Sequence, residues 1–163
     1  MENDTSSAEA QAQRLEHVYA QLAALVRQPD VMRRLGTPTS ENEWSAMHIL
    51  GHMIEMIPYW LTNCRVLIAA TAAPPQFGRT LEAPERLEGV ERGATGNPDQ
   101  IMQQLREEVH AAMRVIRGMS PAERDKQGVH IRRGEMTVVD IIEEFIVAHT
   151  EGHLAQVRAT LEI

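Results

Sequence analysis

The chain is poor in several residue types whose abundance defines whole classes of protein. It has one cysteine, Cys64, so no intramolecular disulfide can form, and aromatic side chains make up only 4% of its 163 residues. A lone cysteine suits a reducing compartment. Few aromatics beside plentiful Met, Leu, Ile, Val and Ala favour a helical bundle over a β-sandwich or barrel. Cys64 falls on an apolar stripe, and we expect it in the core.

Positive charge is also scarce. The 16 Lys and Arg residues against 23 Asp and Glu give a formal net charge of −7. A nucleic-acid partner is not expected, because phosphate backbones are bound through clustered basic side chains. No apolar run approaches the ~18 residues of a membrane span, and no N-terminal run resembles a signal peptide. We expect a soluble, cytoplasmic protein without a membrane partner.

What the chain does have is enough apolar residues for one helical core. With 163 residues and 43% hydrophobic content, we predict a single domain over residues 1–163, with residues 1–7 as a flexible N-terminal tail. Apolar positions repeat every three or four residues in four long segments, which predicts an all-α four-helix bundle. A capping signal opens each helix. These signals lie at residues 6–9, 40–43, 97–98 and 137–140.

Two connections interrupt this pattern. Residues 72–96 are rich in Gly and Pro and have little periodicity, which predicts a long loop between the second and third helices. Loops of this length often form lids or mobile segments. Residues 128–135 are predicted to be a polar connection before the fourth helix.

The second helix, which should run to about residue 70, has an unusually wide apolar surface. More than half of its circumference is apolar. We therefore expect it to be central in the bundle or shared between the core and a homodimer interface.

Histidines are the residues most indicative of chemistry. His149 and His153 are four residues apart, so both imidazoles lie on one helix face, close to the direction of Val138, Ile142 and Phe145. Burying imidazoles is costly unless each nitrogen has a partner, and a metal ion is one such partner. The alternative is one hydrogen-bonded core histidine and one that faces water. His48 and His52 repeat the spacing near the start of the second helix.

Several segments together resemble the DinB-like superfamily of metal-binding helical bundles. They are Trp44-Ser45 followed by His52, the lead Gly134-Glu135-Met136-Thr137-Val138, and His149-Thr150-Glu151-Gly152-His153-Leu154-Ala155-Gln156. The resemblance runs from about residue 10 to 160. It implies an up-down-down-up four-helix bundle, often dimeric, with a divalent ion such as zinc or nickel between helices.

The resemblance also implies the ligands and a range of reactions. By position, the metal triad of the family corresponds to His52, His149 and His153. The better understood members are transferases that use bacillithiol, mycothiol or glutathione, and other members are similar to hydrolases. Three neutral imidazoles would leave coordination positions open, as catalytic sites do. A cation there would activate either a thiol or a water.

Other side chains near the triad are candidates for supporting roles. His48 could be a fourth ligand, a proton shuttle, a partner of a nearby acid, or simply solvated. Glu55 and Tyr59 continue its helix face and are candidates for contact with substrate. Gln156, three residues after His153, could support that ligand.

These observations lead to one leading hypothesis and two alternatives. The leading one is a metal-dependent transferase that activates a low-molecular-weight thiol and conjugates it to a small electrophile. A metal-dependent hydrolase would turn over without thiol. A non-enzymatic metal- or ligand-binding stress protein would have a site closed by a fourth ligand such as His48. Because free imidazoles titrate near pH ~6.5, we also expect the metal to lose its stabilising effect between about pH 7.5 and 5.5.

Overall fold

A computed structural model describes residues 7–163, and most of them are helical. Four long helical segments form the bundle that the sequence predicts. They are α1 (Ala8–Val26), α3 (Ala46–Ala69), α5 (Pro98–Gly118) and a composite last helix, which consists of α7 (Val138–Ile141), a π-helical segment (Ile142–Val147) and α8 (Ala148–Leu161). The shorter helices are α2 (Pro29–Arg34), α4 (Pro84–Thr95) and α6 (Pro121–Arg124).

The long helices surround a single core. Both α1 and α3 contact α5 and the last helix, so α1 and α3 pack against the same two neighbours. Cys64 is buried, and so are the apolar positions that repeat every three or four residues along the third long helix, α5. These core positions are Ile101, Leu105, Val109, Ala112 and Ile116. Among residues 7–163, no helix is long and apolar enough to cross a membrane.

The start of the chain agrees only partly with the sequence prediction. The predicted tail at residues 1–7 and the predicted cap at Ser6 fall mostly on residues 1–6, which lie outside the described residues. Ser7 is the N-cap of α1, and its hydroxyl accepts a hydrogen bond from the backbone N–H of Ala10 at 3.2 Å.

The predicted start of the second long helix is wrong by several residues. Residues 40–43 form bends and turns, and α3 begins at Ala46 after the N-cap Ser45. The Ser45 hydroxyl accepts from the backbone N–H of His48, and Nδ1 of His48 accepts from the backbone N–H of Ser45 at 3.1 Å. This reciprocal capping box satisfies two backbone donors and so defines where the helix starts.

The connection over residues 72–96 is long, as predicted, but half of it is the helix α4. Glycines in α4 allow it to cross α3 very closely. A Cβ at Gly51 of α3 would lie 2.5 Å from the carbonyl oxygen of Gly89 and 2.6 Å from Cα of Gly93. Glycine is a poor helix former, which hides α4 in the sequence, yet here the missing side chain allows two backbones to meet.

This contact also changes the argument for a dimer. The wide apolar surface of α3 is covered within the chain by α4, α5 and the last helix. Ile49, Met53 and Met56 are all 0% exposed. The apolar circumference of α3 therefore no longer calls for a second copy, and the homodimer stays a prediction that rests on the family resemblance.

The predicted polar connection at residues 128–135 is a β-hairpin. Strands β2 (Gln127–His130) and β3 (Gly134–Thr137) pair antiparallel, and the short strand β1 (Gln76–Phe77) joins β2 in parallel. Gly134 has a φ of +79°, in the left-handed region that glycine adopts without steric cost. Strands of four residues are too short to show a clear alternation of apolar and polar positions, so the sequence does not reveal them.

Candidate metal centre

The last helix presents two of the three candidate ligands. Thr137 caps its start as predicted: its hydroxyl accepts from the N–H of Asp140, whose carboxylate accepts from the N–H of Thr137 at 2.8 Å. The π-helical segment Ile142–Val147 follows and was not foreseen in the sequence. Its wider turns change the helix register, because each holds an extra residue. His149 and His153 then lie one regular turn apart in α8.

The structure brings these two rings together with His52 of α3. One ring nitrogen of each histidine lies within 4.8 Å of the others. The ring centroid of His52 lies 5.6 Å from that of His149 and 4.9 Å from that of His153, and the centroids of the two α8 rings are 4.5 Å apart. Among the described residues, the cluster therefore has the three members that the family resemblance implies.

Only some of the ring nitrogens in the cluster have a hydrogen-bond partner among the described residues. Nδ1 of His153 is paired with Oε1 of Gln156 at 2.9 Å, as its predicted supporting role requires. Nε2 of His153 and Nδ1 of His52 are buried and have no hydrogen-bond partner within residues 7–163. Buried polar atoms without a partner are costly, and a metal ion would supply one. The residues present thus fit a divalent ion.

The protonation of the cluster also suits metal binding. Burial is the main cause that lowers the pKa of His52 to about 2, with further lowering by the nearby His153 and Arg86. Burial, followed by His153, lowers the pKa of His149 to about 4. Burial also lowers the pKa of His153, although Gln156 opposes this shift. At neutral pH all three rings are uncharged, which is the form that binds metal.

These shifts correct the expected pH dependence. A metal competes with protons at the pKa of the folded protein, and for His52 and His149 that pKa lies well below the ordinary value near 6.5. The stabilising effect of the metal should therefore fade at a lower pH than unperturbed imidazoles would give.

Glu55 borders the cluster and is held by Arg79. Its Oε2 lies 3.8 Å from Nδ1 of His52, too far for a hydrogen bond. Arg79 donates to both of its oxygens, to Oε2 at 2.7 Å, and the carboxylate is only 8% exposed. The guanidinium of Arg79 also lies 3.8 Å above the ring of Tyr59. Burial raises the pKa of Tyr59. The two predicted substrate contacts, Glu55 and Tyr59, thus meet at Arg79.

His48 has a different position from the one that a fourth ligand needs. Its Nδ1 is occupied by the backbone N–H and the hydroxyl of Ser45, at 3.1 and 2.7 Å. His48 is not a member of the three-histidine cluster. The structure gives His48 a role that was not expected from the sequence: it forms part of the N-terminal cap of α3.

Two cations near the cluster were missed in the sequence. Arg79 follows β1, and Arg86 lies in the first turns of α4, where its guanidinium is 5.4 Å from the ring centre of Trp44. The Trp44 ring is in turn 5.5 Å from that of His52. Both arginines belong to the segment that was predicted as loop. Pro84 followed by Glu85 is a helix-start signal that could have revealed α4.

The fold and the site together define a helical bundle with a three-histidine candidate metal centre between α3 and α8. The sequence model of the DinB superfamily matches residues 9–157, and the chain belongs to that superfamily. No match was found among curated proteins.

A solved structure supports the same fold. The chain is similar to YfiT from Bacillus subtilis, described as a probable metal-dependent hydrolase with an unusual four-helix bundle topology. The TM-score is 0.77 at 16% identity, over 95% of this chain and 86% of YfiT. This likeness confirms the predicted four-helix bundle.

Proposed function

We propose that this protein is a divalent-metal-dependent enzyme whose metal is held by His52, His149 and His153. The observation that carries the proposal is the cluster itself: three neutral imidazoles with nitrogens within 4.8 Å of one another, two of the rings having a buried nitrogen without a hydrogen bond. Three protein ligands are the pattern of catalytic sites, which keep a position for substrate. Zinc or nickel suits an all-imidazole ligand set.

We further propose transfer of a low-molecular-weight thiol to a small electrophile. A divalent ion held by the triad would lower the pKa of a thiol or a water toward neutrality. The chain's own residues favour the thiol, because the carboxylate beside His52, that of Glu55, is bound by Arg79 on both oxygens. A hydrolase that relies on general-base catalysis needs a free side chain to accept the proton of water, whereas a thiol is already partly ionised near neutral pH.

Hydrolysis is the second candidate. It is favoured by the description of YfiT as a probable metal-dependent hydrolase. A non-enzymatic metal-binding role is less well supported, because His48, the fourth ligand suggested for a closed site, is not among the three residues that cluster.

The test separates these functions by their need for thiol. Metal-loaded protein, purified without a polyhistidine tag, is incubated with a chromogenic electrophile in the presence and absence of biological thiols. Metal-dependent turnover that requires thiol supports the transferase, and metal-dependent turnover of ester or amide substrates without thiol supports the hydrolase. His149→Ala is the matched inactive control. Metal binding without turnover in either assay would contradict an enzymatic role.

The assembly and location that we propose follow from the family resemblance and the lone cysteine. We propose a cytoplasmic homodimer that acts on a small molecule. Light scattering at tens of micromolar tests the dimer, and a monomeric mass would contradict it.

A further inference from the structure

Arg86 of α4 lies near the candidate metal centre, with the ring of Trp44 adjacent to both Arg86 and His52. The guanidinium of Arg86 is 5.4 Å from the centre of the Trp44 ring. The centre of the Trp44 ring is in turn 5.5 Å from the centre of the His52 ring. The close crossing at Gly51, Gly89 and Gly93 fixes α4 against α3. The same backbone contact therefore holds Arg86 at a defined place relative to His52.

Arg86 differs from its neighbour Arg79 in how its charge is compensated. Arg79 forms ion pairs with Glu55 and Glu85, whereas Arg86 forms no ion pair with any carboxylate in residues 7–163. One of its nitrogens, Nη1, donates to the carbonyl oxygen of Leu81 at 2.9 Å. Arg86 is also half-buried, so its charge is only partly solvated. A guanidinium in this state retains donors for a planar anion.

The charge of Arg86 acts on the whole cluster. Besides burial, it contributes to the lowered pKa of His52, His149 and His153. Burial and the repulsion of Arg79 lower the pKa of Arg86 itself, despite Glu55 and Glu82. A divalent ion on three neutral ligands would add two more positive charges. With such an ion bound, the side of the site near Arg86 would be positive, although the whole chain carries a net charge of −7.

We propose that Arg86, with Trp44 beneath it, is a recognition subsite for an anionic group, a carboxylate or a phosphate, on the small molecule whose other end reaches the three histidines. This inference rests on the proposed metal site and narrows its substrate class to anionic molecules. Guanidinium groups bind carboxylates and phosphates through paired, charge-assisted hydrogen bonds. The indole face of Trp44 orients the guanidinium and covers one of its sides.

The first experiment uses cobalt(II)-loaded protein and two thiols of similar size. 3-Mercaptopropionate carries a carboxylate and 3-mercapto-1-propanol does not, and the thiolate-to-cobalt absorption band reports the binding of each. We expect the anionic thiol to bind about tenfold more tightly in the unaltered protein, as one charge-assisted hydrogen-bonded pair allows. Arg86→Met should abolish this preference, and Arg86→Lys should retain part of it.

Arg92→Met is the matched control, because Arg92 is an exposed arginine of the same α4 helix. It removes the same charge and should leave the preference intact. Equal binding of the two thiols in the unaltered protein would overturn the subsite while leaving thiol activation in place. A preference that survives Arg86→Met would overturn it as well. Each variant is first compared with the parent by melting temperature and helical circular dichroism.

Inorganic phosphate provides two further tests of the subsite that do not depend on thiol chemistry. If neither thiol binds, the thiol proposal fails, and phosphate is titrated into the cobalt protein with the visible cobalt bands as the signal. If no metal binds, the metal proposal fails, and phosphate is added to the metal-free protein at constant ionic strength. There we expect a rise in melting temperature on the order of 2 °C that Arg86→Met removes and Arg92→Met retains. An equal response in parent and Arg86→Met would refute the subsite in either test.

Discussion

Two histidine pairs with the same spacing lie in different parts of the bundle and do different things. His48 and His52 lie in the first turns of α3, whereas His149 and His153 lie in α8 behind the π-helical segment. Both α8 rings join the cluster, but His52 joins it alone. His48 is the third residue of its helix and its ring accepts from the N-cap backbone instead.

The difference shows that spacing determines which helix face a histidine occupies. Its distance from the helix start determines whether its ring is used to cap the backbone. At a helix start, backbone N–H groups lack intrahelical partners, so a nearby side chain with an acceptor is used to satisfy them. Inside α8 the backbone donors are already satisfied. The rings of His149 and His153 are therefore available to each other and to His52.

The largest effect that separates the pairs should be on metal binding. His149→Ala or His153→Ala should reduce the metal content well below one ion per chain, because two imidazoles no longer complete a stable site. His48→Ala should retain full metal content, as should His17→Ala in α1 and His110→Ala in α5, because these histidines lie outside the cluster. Elemental analysis of untagged protein measures this. Full occupancy in both α8 variants would refute the site.

Acidification should expose the next largest effect. In the metal-free protein His52 and His149 stay neutral while folded, with pKa values of about 2 and about 4, but they protonate near pH ~6.5 when unfolded. The unfolded state then binds more protons, so stability is complete above about pH 6.5 and falls on acidification. Each histidine should remove about 1.4 kcal/mol per pH unit.

Urea unfolding of metal-free protein from pH 7.5 to 5 measures this slope. His149→Ala should have a shallower dependence on pH than the parent, and His17→Ala, an exposed position, should not. In parallel, the difference in melting temperature between metal-loaded and metal-free protein should depend less on pH than unperturbed imidazole ligands would require. A pH-independent stability of the metal-free protein would contradict the buried, neutral cluster.

A smaller effect should come from the partner of His153. Gln156→Ala removes the acceptor at Nδ1 and should weaken metal binding about tenfold, because groups that hold a ligand ring orient it for the metal. Isothermal titration with zinc measures the change. Gln100→Ala, at an exposed glutamine of α5, is the control, and an equal loss of affinity there would show that the bond to His153 is not responsible.

The smallest effect concerns the cap of α3. His48→Ala removes one of the two bonds of the capping box and should lower the free energy of unfolding by about 0.5–1 kcal/mol. Metal affinity should change little. A large loss of metal affinity at unchanged stability would mean that His48 serves the metal and that the two pairs are alike after all.

Much of the fold was predictable because it depends on local periodicity. The apolar positions of α5, the caps at Asn97 and Thr137, and the four long helices all follow from residues that are close in the chain. α4 was not predictable in this way, because Gly89 and Gly93 weaken its helical pattern. Their lack of a side chain matters only where they pack against Gly51 of α3. The same holds for the hairpin, whose short strands are defined by pairing.

The sequence alone determined which histidines share a helix face and, by family resemblance, which three belong together. Only the tertiary structure decided that His52 of α3 meets the two histidines of α8, and that Arg79 and Arg86 lie near the cluster. The physical reason is the range of the interactions. Helical periodicity acts within a few residues, whereas desolvation, ion pairing and ligand geometry depend on groups that the fold brings together from α3, α4 and α8.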